Sequence, residues 1–125
     1  MPYFLDTWLS SQLECLLARY GMEYKSDASL IRFIDGYVEN QLDILTVDNN
    51  VSVVITQSIP CGESRIALRL SQCVSPESLF GVVGSAFFLD NRLCLATVLP
   101  TDLTADEWIT IYEHQKELLI SFLGK

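Results

Sequence analysis

Apolar residues along this chain change period several times, and each change marks an element. From Pro2 to Gly21, PYFLDTWLSSQLECLLARYG places Leu5, Leu9, Leu13, Leu16, Leu17 and Tyr20 at three- and four-residue spacing, one face of a helix. Pro2 suits a first helical turn, and Gly21 stands where a C-terminal cap is expected. Phe4 and Trp8 lie beside that stripe, so the apolar arc is broad and the polar face thin. Such a helix either packs both sides inside the protein or turns one side to a partner.

The period then drops to two. Leu30 to Ile34 is a short strand-forming run closed by the turn pair Asp35-Gly36. Leu42, Ile44 and Thr46 alternate with Asp43, Leu45 and Val47, and Asp48-Asn49-Asn50 turns the chain into Val51 to Thr56. Asn tolerates the left-handed backbone that a hairpin needs, so two antiparallel strands are predicted here. Both faces carry apolar positions; one is expected to meet helices and the other to be covered by something else. Gly62 to Val74 fits two templates. Ile66, Leu68 and Leu70 alternate as in a strand, while Ile66, Ala67, Leu70, Cys73 and Val74 make a helical stripe. Few β-branched residues, Glu63 near the start and Ser75-Pro76 as a stop favour the helix. SPESLFGVVG, Ser75 to Gly84, reads as a turn or a helical remnant.

Ala86 to Leu89 and Leu93 to Val98 are strands joined at Asp90-Asn91, and Leu99-Pro100 ends the second because proline cannot donate to a ladder. Thr104 to Glu107 has capping-box spacing, and Asp106 adds favourable charge at that helix start. Trp108, Ile111, Tyr112, Leu118, Leu119 and Phe122 form the buried stripe of a last helix. The order is α-β-β-β-α-β-β-α: an α+β fold with an antiparallel sheet of about five strands and three helices, in one domain spanning residues 1–125.

Composition narrows the function. Half of the 125 residues are hydrophobic and mean hydropathy is +0.28, more apolar surface than one small core hides, which points to an oligomer or a docking surface. The net charge of −8 and the lack of a basic run argue against nucleic acid. No apolar run approaches the ~20 residues that span a bilayer, and the start, MPYFLDTWLSSQLE, carries Asp6 and Glu14 where a signal peptide is basic. A cytoplasmic protein is expected.

Reactive groups are few. Cys15, Cys61, Cys73 and Cys94 form no CxxC pair, and His114 is the only histidine that could join them around a metal. In a reducing cytoplasm they read as small hydrophobes. A nucleophile needs a base beside it; His114 sits next to Glu113 in a polar helical stretch, and Cys61 at the head of Cys-Gly-Glu-Ser has no identifiable base. No GxSxG, GxGxxG, P-loop or HExxH pattern occurs. The expectation is a non-enzyme without metal or cofactor. A small-ligand-binding or thiol enzyme using Cys61 or Cys94 stands as the rival.

The element order, the size and the acidic balance resemble the class I chaperones of bacterial type III secretion, the Tir-chaperone-like family. The local matches are FIDG at Phe33 to Gly36, VSVVITQSIP at Val51 to Pro60, GSAFFLDNRLCLATVLP at Gly84 to Pro100, and the helix carrying Trp108 and Phe122. The proline in SPESLFGVVG makes the second helix look shorter or broken by comparison. The resemblance implies an ATP-independent homodimer in the bacterial cytoplasm, a virulence factor that holds the N-terminal region of a secreted effector in extended form. By that analogy client contacts fall on Phe4, Leu5, Trp8, Leu9, Phe33, Ile44 and Val53, and the dimer interface on Ile66, Leu70, Cys73 and Phe80. A regulatory or structural protein-binding module of the same fold, as a heterodimer subunit, is the alternative.

Overall fold

A computed structural model describes residues 7–25, 28–73, 80, 82 and 84–123. The elements run α1 (Thr7–Arg19), β1 (Leu30–Asp35), β2 (Val38–Val47), β3 (Asn50–Pro60), α2 (Ile66–Cys73), β4 (Ser85–Leu89), β5 (Arg92–Leu99) and α3 (Ala105–Ile120), the order expected from the sequence. The five strands form one antiparallel sheet in the order β1-β2-β3-β5-β4.

Local chemistry explains most boundaries. Both residues of the Asp48-Asn49 turn are left-handed (φ 52° and 66°), as are both of Asp90-Asn91 (φ 53° and 60°). Two consecutive left-handed residues match the twist of the flanking strands, and Asp and Asn tolerate that backbone. Helix α1 ends in a Schellman motif: Met22 N–H donates to the Leu17 carbonyl at 2.8 Å and Gly21 N–H to that of Ala18 at 3.1 Å, with Gly21 at φ 75°. The capping box of α3 is formed. Glu107 N–H donates to Thr104 Oγ1 at 3.3 Å, and Thr104 N–H donates to Glu107 Oε1 at 3.0 Å.

The Gly62 to Val74 segment is helical, but it starts later than its polar head suggested. Ile66, Ala67 and Leu68 N–H groups donate to the Glu63, Ser64 and Arg65 carbonyls, so residues 63–65 make a tight turn and the α-helix begins at Ile66. Leu68 is exposed while Ile66 and Leu70 are buried, the pattern of a helix rather than a strand. Leu118, expected inside, is only partly buried. The predicted helix start at Pro2, Val74 of the predicted second-helix stripe and residues 75–79 lie outside the described residues.

All three helices cover one face of the sheet. Beneath α1 and the first half of α3, Phe33, Leu42, Ile44, Val53, Ile55 and Leu99 pack with Leu9, Leu13, Leu16, Leu17, Trp108, Ile111 and Tyr112. Beneath α2 and the end of α3, Val38, Ile59, Leu93 and Leu95 pack with Ile66, Leu70, Leu119 and Phe122. A polar seam lies between the two clusters. Gln57 donates to the Tyr112 carbonyl at 3.1 Å and Thr97 donates to Gln115, joining α3 directly to the middle of the sheet. Asn40, the cross-strand partner of Gln57, is buried beside it.

Gly84 enters β4 against this core: an added Cβ would lie 2.7 Å from Leu95 Cδ1 and 3.2 Å from Thr97 Oγ1. Leu95 is fully buried and has nowhere to move. Gly84→Ala is expected to cost about 1–3 kcal/mol through overpacking, read as a Tm lowered by several degrees in thermal denaturation.

Candidate protein-docking surface

Because the helices share one face, the opposite face and both sheet edges are left to solvent among the described residues. Strand register sets what the open face presents. Arg32, Gln41, Thr56, Ala96 and Ser85 form one row across the sheet, and Ile34, Glu39, Ser58, Cys94 and Phe87 form the next. The face is a shallow trough of about 620 Å³. Its floor is polar and satisfied internally. Arg92 donates to Ser58 Oγ at 2.9 Å and the Ser58 carbonyl at 3.1 Å and pairs with Glu39 at 3.3 Å; Arg32 donates to Gln41, which donates to Asp43. Paired groups of this kind gain little from a new polar partner.

The rims differ from the floor. On β1 and its turn, Ile34 is 73% exposed and Tyr37 76%, with Leu30 half exposed. On β4, Leu89 is 57% exposed and Phe87 more than a third. Leu68 stands exposed on α2, the helix that packs against β4, and Phe80 is exposed too, holding a left-handed backbone (φ 58°) that is costly for a bulky residue. Strand β4 reads SAFFL, without charge or proline, the devices by which edge strands discourage pairing. Apolar side chains at two open edges can take up an extended polypeptide through main-chain bonds and side-chain burial together.

Of the residues expected to contact a client, Trp8 is 43% exposed. Leu9, Phe33, Ile44 and Val53 are buried in the core beneath α1 and α3, where they hold the fold together and present no surface to a second chain. Phe4 and Leu5 lie outside the described residues. Of the four expected at a dimer interface, Cys73 and Phe80 are exposed, whereas Ile66 and Leu70 are spent on this chain's own core. Period alone does not separate core from contact. Leu30, Ile34 and Leu89 fall outside the expected contacts; they are apolar and exposed at positions out of phase with the inward-facing set of their strands, a set that only the placement of the helices identifies.

The reactive groups do not converge. Cys61 is buried and its thiol donates to the Glu63 carbonyl at 3.4 Å. Burial pushes the Cys94 thiol up, the reverse of what activates a nucleophile. His114 is exposed on α3. Among the described residues, no three of His, Cys, Asp and Glu come together to hold a metal ion, and no helix is long and apolar enough to cross a membrane.

One charged cluster is built closely. Lys116 of α3 bridges Asp35, the last residue of β1, at 2.9 Å and Glu113 at 2.8 Å. The Tyr112 hydroxyl donates to Asp35 at 3.0 Å and the Tyr20 hydroxyl to Glu113 at 2.8 Å. Tyr20 stacks on Phe33 at 5.6 Å and meets Tyr112 edge-on at 4.9 Å. The hydrogen bond from Lys116 holds the Asp35 carboxyl below the usual carboxylate range, against an opposing push from burial. Burial pulls Lys116 down, but its bonds to Glu113 and Asp35 outweigh that and raise it. Burial, then the neighbouring carboxylates, drives both phenols upward.

The family model for SsaM matches residues 9–122 of the chain. No curated protein and no solved structure matches it.

A depressed carboxyl stabilises the folded state at pH above its unfolded value of about 3.9, and that contribution disappears as pH falls through the lower folded value. The stability lost in Asp35→Asn is therefore expected to be constant from about pH 8 to pH 5 and to shrink below about pH 4, measured by urea denaturation of both proteins.

Proposed function

For this chain, which belongs to the SsaM family, we propose the role of a type III secretion chaperone: a bacterial cytoplasmic protein that holds the N-terminal region of a secreted effector in extended form and keeps it competent for export. The observation that carries the reading is the pair of open sheet edges, each flanked by exposed apolar side chains, on an acidic chain. The element order α-β-β-β-α-β-β-α and the Asp-Asn hairpin leading to Leu99-Pro100 agree with it.

The role needs binding and no covalent step. An extended client loses conformational freedom on capture, and apolar burial at the edges and beside Trp8 must exceed that loss. Each large side chain fully buried contributes about 1.5–3 kcal/mol, so Trp8 with the exposed set on β1 and its turn, Leu30, Ile34 and Tyr37, is of the right size for reversible capture. In this reading a second copy pairs along the side formed by β4 and α2. Cys73 and Phe80 are retained as interface residues, and Leu68, Phe87 and Leu89 join them in place of Ile66 and Leu70.

Two measurements test the proposal. Light scattering after size exclusion is expected to give a dimer of the 14.1 kDa chain, with Leu89→Asp reducing it to a monomer. A wild type that runs as a single chain at high concentration rejects the homodimer. Tagged protein expressed in its native bacterium is expected to retain a secreted protein through the N-terminal region of that protein, protected from protease yet without a folded core. Trp8→Asp should weaken that capture tenfold or more while leaving circular dichroism and Tm unchanged. Equal capture by the variant removes α1 from the site.

A further inference from the structure

The two edge strands are secured in different ways. Strand β4 packs against α2, with Ala86 and Phe88 in the apolar cluster beneath that helix. Strand β1 hydrogen-bonds to β2 along one side only. Two of its six residues, Leu30 and Ile34, point their apolar side chains to solvent. The helix layer reaches β1 through the packing of Phe33 and Ile31 on the core, with Phe33 set between Tyr20 and Tyr112, and through the charged cluster on Asp35, the one polar tie at the end of the strand. The charged and titratable groups around that cluster are Arg19 and Tyr20 at the end of α1, Asp35 on β1, and Tyr112, Glu113 and Lys116 on α3. Among the described residues, Lys116 is the one cation bonded to either carboxylate of the pair.

We infer that Lys116 latches edge strand β1 to α3, and that β1 with its Gly36-Tyr37 turn opens as a unit while the rest of the sheet stays closed. Removing the ammonium leaves two carboxylates, Asp35 and Glu113, facing one another across the end of the strand. Their repulsion falls on β1, because Glu113 is fixed on a helix anchored to the sheet through Gln57 and Thr97. Opening bares the outer edge of β2 beside the pocket that Tyr20 and Tyr112 form around Phe33. That place suits an extended segment carrying one aromatic residue. The latch itself stands independently of the chaperone reading.

Native-state hydrogen exchange on the full chain at pH 7 tests it. Lys116→Met is expected to accelerate exchange of the protected amides in residues 30–37 by tenfold or more, with those in β3 and β5 changed less than twofold. Lys116→Arg, which keeps the charge, should restore most of the protection. Equal acceleration in every strand, or none in β1, overturns the inference. Should Lys116→Met fail to fold, the wild type decides through exchange at increasing urea. β1 amides must then exchange through an opening of lower free energy than β3 amides, and coincidence of the two overturns the latch.

Discussion

The seating of α3 on the sheet is the constraint on which the rest depends. This one helix closes both halves of the core, with Trp108, Ile111 and Tyr112 over one cluster and Leu119 over the other. Two side chains from the sheet fix where it lies. Gln57 reaches the Tyr112 carbonyl, and Thr97 reaches Gln115. A helix held by apolar contacts alone could slide by part of a turn at small cost, since such contacts are not directional. A fully buried amide that must find its acceptor allows no such slip. The capping box at Thr104 and the Gln12 side chain, which accepts from Ala105 N–H at 2.7 Å, then set where the helix begins.

With α3 seated, the charged cluster follows. Tyr112, Glu113 and Lys116 lie within one turn, and that turn faces the end of β1 and the end of α1 together. The same residue, Tyr112, gives its ring to the core, its carbonyl to Gln57 and its hydroxyl to Asp35. Loss of its ring would therefore disturb the core, the seam and the β1 attachment at once, whereas loss of the hydroxyl alone touches only the last.

Most of the fold was legible because its signals are local. Two Asp-Asn pairs, a glycine after Arg19-Tyr20 and a Thr104/Glu107 pair each impose a backbone conformation within a few residues, and each acts as expected. What was not legible depends on distant partners. Gly84 is required by Leu95 and Thr97 on another strand. Gln57 and Asn40 look like solvent-facing polar residues in the sequence, yet they are buried under a helix that begins 48 residues beyond Gln57. The apolar stripes of α1 and the strands, which suggest a docking surface in the sequence, are the core: Leu9, Ile44 and Val53 lie inside so that the helices can seat on the sheet. The exposed apolar residues lie on the other parity, where a period-two pattern with both faces apolar gives no preference. Only the placement of all three helices on one side decides which set faces water.

That one-sided cover leaves the two edges of the sheet guarded differently. Charge protects an edge strand only when it lies on the strand. Here β1 carries Arg32 and Asp35, and the carboxylate is turned toward Lys116 rather than outward. Strand β4 carries none, with Asp90 in the turn beyond it as the nearest formal charge in sequence. Two different invitations result. Among the described residues, a strand approaching β4 meets main-chain groups unpaired on that side between Phe87 and Leu89 and no charge on the strand. One approaching β1 must pass the arginine at its centre or wait for the strand to leave. A lysine on the strand is the usual device that closes such an edge, and without one β4 keeps the geometry and the apolar character that strand pairing requires.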